Sequence, residues 1–430
     1  MNGGGILKLQ QLYFANFRGI QDLLVDLSGK STVFYGVNGV GKSSILRGVA
    51  LLFSNIISRV TDNQVRQQLL FEPEDIRFGS TELKVYGQFQ FDDESYHRYG
   101  FSYRKGKMGK RSIKRDSDEF MSLFSELYSA DAAGFPIFAH YGVNRTVLDI
   151  PLRIKTKHDF GKIAAYRNSI GRTDFRTFFE WFRNQEDIEN QEKVSQANLD
   201  YKDPSLEAVR TAIYSMMPEL SNLRIKRSPL KMCATKDGKT LSIEQLSDGE
   251  KCLMAMLGDI ARRLAIANPG MTNPLQGGGI VLIDEVDLHL HPSWQRKVAG
   301  VLRKTFPNIQ FILTTHSPQV LGELYEGYKI FELTQSTVSG VEVREMVPGY
   351  YDSNLVLERD MGTSRINQTV LDLEHQAHML AMSRDYDGAA TVLDRLDKLT
   401  CGTDTTITEV QMLIHRLRRQ DEKNGGGGTQ

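Results

Sequence analysis

Residues Gly36-Val37-Asn38-Gly39-Val40-Gly41-Lys42-Ser43 match G-x-x-x-x-G-K-S/T in full, a pattern that works only at the junction of a strand and a helix. The chain supplies both. The run Ser31-Thr32-Val33-Phe34-Tyr35 ahead of it reads as a strand. Lys42 to Val60 behind it has helical spacing, with Ile45, Val49, Leu52, Ile56 and Val60 on one face. Gly36, Gly39 and Gly41 let backbone N–H groups around Asn38 turn inward on phosphates, and the helix start adds the positive end of its dipole. Lys42 would reach the terminal phosphates of a nucleoside triphosphate. The Ser43 hydroxyl would bind Mg²⁺, with Ser44 next to it at the nucleotide.

A chain of 430 residues is too long for one ordinary core, so two or three regions are expected. Lys plus Arg and Asp plus Glu each number 53, which excludes a uniformly basic coat and an acidic disordered protein. Any DNA contact must therefore use a local patch. Cys233, Cys252 and Cys401 are far apart and lack metal-ligand spacing, which fits a reducing, cytoplasmic compartment. Unbroken apolar runs are short, so no membrane span is expected, and Met-Asn-Gly-Gly-Gly at the start gives no secretory signal.

Strand patterns fill 6–36, 82–104 and 136–142, with an acidic turn at Asp92-Asp93-Glu94. Helical spacing takes over at 173–194, and Asp203-Pro204 starts a further helix running to Met217. Strand-like pieces return at 222–236. A helix over 249–267, a strand at 279–284, a helix over 292–305 and strands at 309–315 and 329–333 follow. The expected organisation is an α/β core in two halves, 1–150 and 221–350, split by a helical insertion at 151–220. An all-helical region at 360–423 and a glycine-rich tail at 424–430 complete it.

Two further motifs carry chemistry. Ile280-Val281-Leu282-Ile283-Asp284-Glu285 reads as a buried parallel strand delivering carboxylates at its C-terminal end, where open α/β sheets bind ligands. Asp284 would hold Mg²⁺ and Glu285 would polarise a water. Leu246-Ser247-Asp248-Gly249-Glu250 offers a hydroxyl and bare backbone at a helix start, a second anion site. Two phosphate-binding helix ends with one obvious metal site resemble the ABC-type ATPases. In that family the signature Ser247, Gly249 and Glu250 would close over the ATP of a second copy, giving a head-to-tail dimer around ATP and Mg²⁺. The resemblance also makes Asp287 the D-loop aspartate and His316, in Thr314-Thr315-His316-Ser317, the switch histidine at the γ-phosphate.

Asp284-Glu285-Val286-Asp287-Leu288-His289-Leu290-His291-Pro292 and Asn16-Phe17-Arg18-Gly19 resemble the SMC, RecF and OLD branch. That likeness argues against a metal pair at His289 and His291, and makes Arg18 a nucleotide contact. The linker between the two halves is too short for a long coiled coil, and the stretch after His316 too short for an appended nuclease domain. Phe179-Glu180-Trp181-Phe182, the acidic run 186–190 and Tyr141-Gly142-x-x-Arg145 resemble compact ATPases of bacterial antiphage systems, the PtuA family of Septu above all. That family implies a separate HNH nuclease as partner; a stand-alone RecF-type repair ATPase is the alternative.

Nucleic acid would meet Arg104, Lys105, Lys107, Lys110, Arg111, Lys114 and Arg115, read as an exposed loop with Tyr103 available to stack. A smaller basic set is Arg224, Lys226, Arg227 and Lys231. The apolar residues between Ile366 and Leu417 suit either packing on the ATPase body or docking of a partner chain or further copies.

Overall fold

The computed structural model describes residues 7–66, 68–91, 95–105, 111–116, 118–129, 135–143, 161–171, 175–324, 327–336, 340–346, 368–400 and 405–425. The acidic turn at 92–94, Arg145, Lys107, Lys110, Ile366 and the glycine tail from 426 on lie outside them. The chain divides into two compact units, Met1–Ser353 and Asn354–Gln430.

The first unit is built on β1 (Lys8–Phe17), β2 (Ile20–Asp26), β3 (Ser31–Tyr35), α1 (Lys42–Val60), β4 (Glu82–Gln90), β5 (Tyr96–Lys105), β6 (Arg111–Asp116), α2 (Asp118–Ser129) and β7 (Ile137–Tyr141). There follow α3 (Phe175–Ser195), α4 (Pro204–Met216), β8 (Leu220–Arg227), β9 (Leu230–Lys236), β10 (Lys239–Ser242) and α5 (Asp248–Ala267). The unit closes with β11 (Gly279–Ile283), α6 (Pro292–Thr305), β12 (Ile309–Thr315), α7 (Pro318–Gly322), β13 (Tyr328–Ser336) and β14 (Gly340–Met346).

Eleven strands form one sheet in the order β6-β5-β4-β1-β2-β14-β13-β3-β12-β11-β7, and β10-β9-β8 form a separate small sheet. Strands β13, β3, β12, β11 and β7 run parallel; the others in the large sheet pair antiparallel. The sequence explains the difference. Every residue of β3, β11 and β12 is buried, as strands covered on both faces require. β4 instead alternates, with Leu83, Val85, Gly87 and Phe89 inward and the residues between them less buried.

Helix α1 is the central filler. Ile45, Leu46, Val49, Leu52, Phe53 and Ile56 are fully buried, each contributing roughly 1.5–3 kcal/mol of apolar burial. Phe53 stacks on Phe138 of β7 at 4.5 Å, and the missing side chain of Gly48 admits the Phe14 ring. Contrary to expectation from run length alone, α1 is long and apolar enough to cross a membrane. It is the buried core helix, with the phosphate loop at its start. Phe178 of α3 fills the space that Gly258 of α5 leaves, which locks the helical insertion onto the helix after the signature motif.

The basic stretch at 101–115 is not a loop over most of its length. Residues 101–105 belong to β5 and 111–115 to β6, which pair antiparallel. Tyr103 is buried and stacks on Phe71, so it cannot serve a base. The alternation Phe101, Tyr103 inward is a strand signal that the cluster of charge obscured.

The second unit holds α8 (Gln368–Met382), α9 (Tyr386–Thr400) and α10 (Thr405–Gly425). It has a small core of its own, Leu373, Ala377, Ala381, Ala389, Leu393, Leu396 and Val410. Alanine at three of these positions lets the helices approach closely. Met379, Met382, Leu399 and Met412 remain exposed.

Candidate functional site

Three neighbouring parallel strands, β3, β12 and β11, end side by side. The phosphate loop, Thr314-Thr315-His316 and Asp284 to Asp287 therefore emerge at one edge, from segments far apart in sequence.

The loop is shaped by three glycines with positive φ, Gly36 (148°), Gly39 (80°) and Gly41 (112°). A side chain at Gly36 would strike the Leu333 carbonyl, and one at Gly41 would press on Val341. Gly39 has open space on its side-chain position, and Asn38 and Ser43 are exposed. Ser44 begins the helical turn by donating its N–H to the Gly41 carbonyl at 3.0 Å. Lys42 is buried and donates to the carbonyls of Gly36 at 2.7 Å and Val37 at 3.0 Å. Burial lowers its pKa, while the charges of Glu285, Asp284 and Asp287 oppose that shift. One ammonium and three carboxylates thus share a field.

The carboxylates are held by groups that the sequence reading passed over. The Thr314 hydroxyl donates to Asp284 and accepts the N–H of Glu285, at 2.8 Å for the latter. The Thr315 hydroxyl donates to Asp287 and accepts the Ser317 N–H. Glu285 has a positive φ of 47°, and its carboxylate lies 3.8 Å from His316 Nε2. His316 Nδ1 is buried with no hydrogen-bond partner. Gln295 on α6 donates to the Leu290 carbonyl at 3.0 Å and accepts from Ser317 at 2.7 Å, tying the two segments together. Adjacent threonines at a strand end, Thr314 and Thr315, are the signal in the sequence for this arrangement.

The signature residues form a helix start. Ser247 is the N-cap of α5, with a reciprocal capping box in which Glu250 accepts from Ser247 N–H at 2.7 Å. Lys236 also bonds Glu250. Burial works to raise the Glu250 pKa, but Lys236 and Ser247 hold it below the ordinary carboxylate value. Gly249 is needed for contact: a Cβ there would lie 2.4 Å from the His289 carbonyl oxygen. The signature helix therefore abuts the segment that follows Asp287.

Arg18 has another partner than expected. Its Nε donates to Asp75 Oδ1 at 2.8 Å, and Arg47 bonds the same carboxylate at 2.7 Å. Burial pushes the Asp75 pKa up, and the hydrogen bonds from Arg47 and Arg18 more than offset it. The turn still borders the loop, since Gly19 and Gly41 both lie against Val341. Of the smaller basic set, Arg227 pairs with Glu186 and Asp187, and Lys231 with Glu244, so two of its four cations are neutralised within the chain. Arg104 is exposed on β5; no cluster of His, Cys, Asp and Glu among the described residues is arranged to hold a metal by itself.

The residues present suit a magnesium nucleotide: a glycine cradle with open space, a desolvated lysine, an exposed serine hydroxyl, and carboxylates facing that lysine. One carboxylate beside an imidazole can accept a proton from water.

Comparison with known proteins agrees. The family described as "AAA domain, putative AbiEii toxin, Type IV TA system" matches residues 31–322. The "Retron Ec83 probable ATPase" of Escherichia coli is 33% identical over 380 residues, spanning 74% of this chain and 70% of that protein. The "Retron Vc95 probable ATPase" of Vibrio cholerae serotype O1 biovar El Tor is 30% identical over 372 residues, spanning 73% and 71%. "Septu protein PtuA" of Bacillus thuringiensis is 25% identical over 329 residues, spanning 74% and 73%.

Proposed function

Because this chain belongs to the family described as "AAA domain, putative AbiEii toxin, Type IV TA system", we propose that it is an ATP-driven switch. It is an ABC-type ATPase of the SMC, RecF and OLD branch, near the retron and Septu ATPases. The proposed output is control of a separate, HNH-type nuclease in a cytoplasmic antiphage complex that meets DNA through the strands around Arg104.

The observation that carries the reading is the shared edge of Lys42, Asp284, Glu285, Asp287 and His316. Lys42, Ser43 and the loop N–H groups would hold the phosphates, and Ser43 with Asp284 the Mg²⁺, which when bound neutralises phosphate charge. Glu285 takes the proton of a water as its oxygen bonds the terminal phosphorus and the bond to the leaving ADP breaks. His316, beside Glu285, contacts the same phosphoryl group. Ser247 and Gly249 of a second copy complete the site, so ATP state and the geometry of the pair are linked.

A complementation experiment tests the shared site. Lys42→Ala and Ser247→Arg chains should each lose turnover, and mixing them should restore it, because one of the two sites in a mixed dimer is then intact. No recovery on mixing would mean that each copy uses only its own residues. For the output, purification from the native host with neighbouring genes present should bring down a stoichiometric nuclease. Recovery of the ATPase alone, with turnover stimulated by DNA, would favour a RecF-type repair role.

A further inference from the structure

Helix α6 presents a second feature, lined by none of the nucleotide-site residues. Its outer face, with Leu324 and Tyr328 behind it, borders an open groove of about 620 Å³. Four exposed cations line this groove, Arg296, Lys297, Arg303 and Lys304; Arg296 also donates its Nε to Gln319 at 2.6 Å, and the Arg303 guanidinium lies against Gly327. Their spacing is regular. Residues seven apart on a helix share a face about 10 Å apart along the axis, so the four form two pairs two turns apart. Gly300 lies midway, three or four residues from each of them, and helical neighbours at those spacings face one another.

Gly300 is unusual for its position. A glycine inside a helix is destabilising relative to alanine, and such a residue is normally explained by something packed against it. Here a Cβ would meet no atom within 4 Å. By contrast, Gly258 of α5 is filled by Phe178 and Gly48 of α1 by Phe14. The bare backbone at Gly300 gains nothing inside this chain. It makes room on the outside, at the centre of four positive charges.

We propose that this groove docks an acidic segment of a partner protein, with carboxylates over the cation ring and apolar side chains on the floor. The floor decides between peptide and nucleic acid. Val301, Pro307 and Leu324 line the groove together with the cations, which suits a peptide mixing acidic and apolar residues. Among the described lining residues nucleic acid would find no aromatic face to stack on, because Tyr328 is buried with its hydroxyl donated to the Ala299 carbonyl at 2.8 Å. Four cations over two turns also reach fewer phosphates than sequence-blind DNA binding draws on. Glu323, at the rim, adds one opposing charge.

The test uses the full chain and two fluorescein-labelled probes, a short peptide alternating Glu with Leu and a single-stranded DNA oligonucleotide, read by anisotropy. The peptide should bind, and binding should weaken about tenfold or more in Lys297→Glu/Lys304→Glu, by loss of charge complementarity. Gly300→Leu should weaken it similarly by filling the groove, while its thermal midpoint stays level or rises, since the added side chain enters open space. Peptide affinity unchanged in both variants, or no peptide binding at all, would overturn the proposal. So would tighter binding of the oligonucleotide that is lost in the same variants, which would make the groove a nucleic-acid site. A changed oligomeric state in the variants, seen by light scattering, would make the occupant a second copy of this chain.

Discussion

Two clusters of charge in the first unit use the same chemistry to opposite ends. On α5, Asp259 is fully buried and both its oxygens are bonded, to Arg262 at 2.6 Å, Arg263 at 2.7 Å and the Tyr141 hydroxyl at 2.8 Å. Burial works to raise its pKa, yet the two arginines hold it below the usual value. At the strand edge, Glu285 remains 24% exposed beside His316. The first cluster is bonded from within and faces no solvent, with only the Arg262 Nη1 of its guanidinium groups left buried without a hydrogen-bond partner among the described residues. The second is positioned by threonines and backbone, so its carboxylate can still meet something from outside.

Tyr141 joins them. Its carbonyl accepts the N–H of Asp284 at 2.9 Å while its hydroxyl reaches Asp259. The strand end that carries Asp284 and the signature helix are thus fastened to one residue, by its carbonyl and its hydroxyl. Arg263 extends the fastening to the carbonyls of Ala165, Arg167 and Asn168.

The largest stability effect expected from this contrast is at Asp259. Asp259→Ala leaves two buried guanidinium groups without their counter-ion, a loss of about 3–5 kcal/mol. Urea denaturation of the full chain should show the midpoint falling accordingly; a change under about 1 kcal/mol would mean that the cluster is not the clamp described.

A smaller effect is expected where a partly buried cation meets a carbonyl rather than a carboxylate. Lys8 donates to the Asn308 carbonyl at 3.2 Å, and burial lowers its pKa from 10.5 to about 8. Between those two values the unfolded chain binds a proton that the folded chain has released, so stability rises with pH across that window. Below it the folded protein carries the desolvated charge. Lys8→Met should therefore gain roughly 1–3 kcal/mol at neutral pH. That gain should shrink toward nothing as pH approaches 10.5; a gain independent of pH would trace to packing alone.

Much of this was written locally in the sequence. The phosphate loop announces its strand and helix, and Pro292 with His291 before it marks the start of α6. The apolar runs 280–283 of β11 and 311–313 of β12 announce a parallel sheet. What was not legible depends on partners distant in the chain. Nothing near Asp259 points to Tyr141, although Asp259, Arg262 and Arg263 at helical spacing on an otherwise apolar helix were a signal of a buried ion pair. The hydroxyls of Thr314 and Thr315 acquire their role only once β12 lies beside β11. Helix α2, whose Phe120 and Phe124 pack into the core, and strand β14, whose alternation is interrupted by Glu342, Arg344 and Glu345, were not anticipated.

The central claim is that Glu285 is the group that activates water, and Glu285→Gln tests it directly. The variant keeps the side-chain shape and its backbone hydrogen bond to Thr314 but cannot take a proton. Measured with radiolabelled ATP, binding should stay within a few-fold of the parent while turnover falls about a hundredfold or more, and the ATP-bound chain should accumulate as a dimer. Turnover at the parent rate with binding intact would contradict the account and place the base elsewhere at the strand edge.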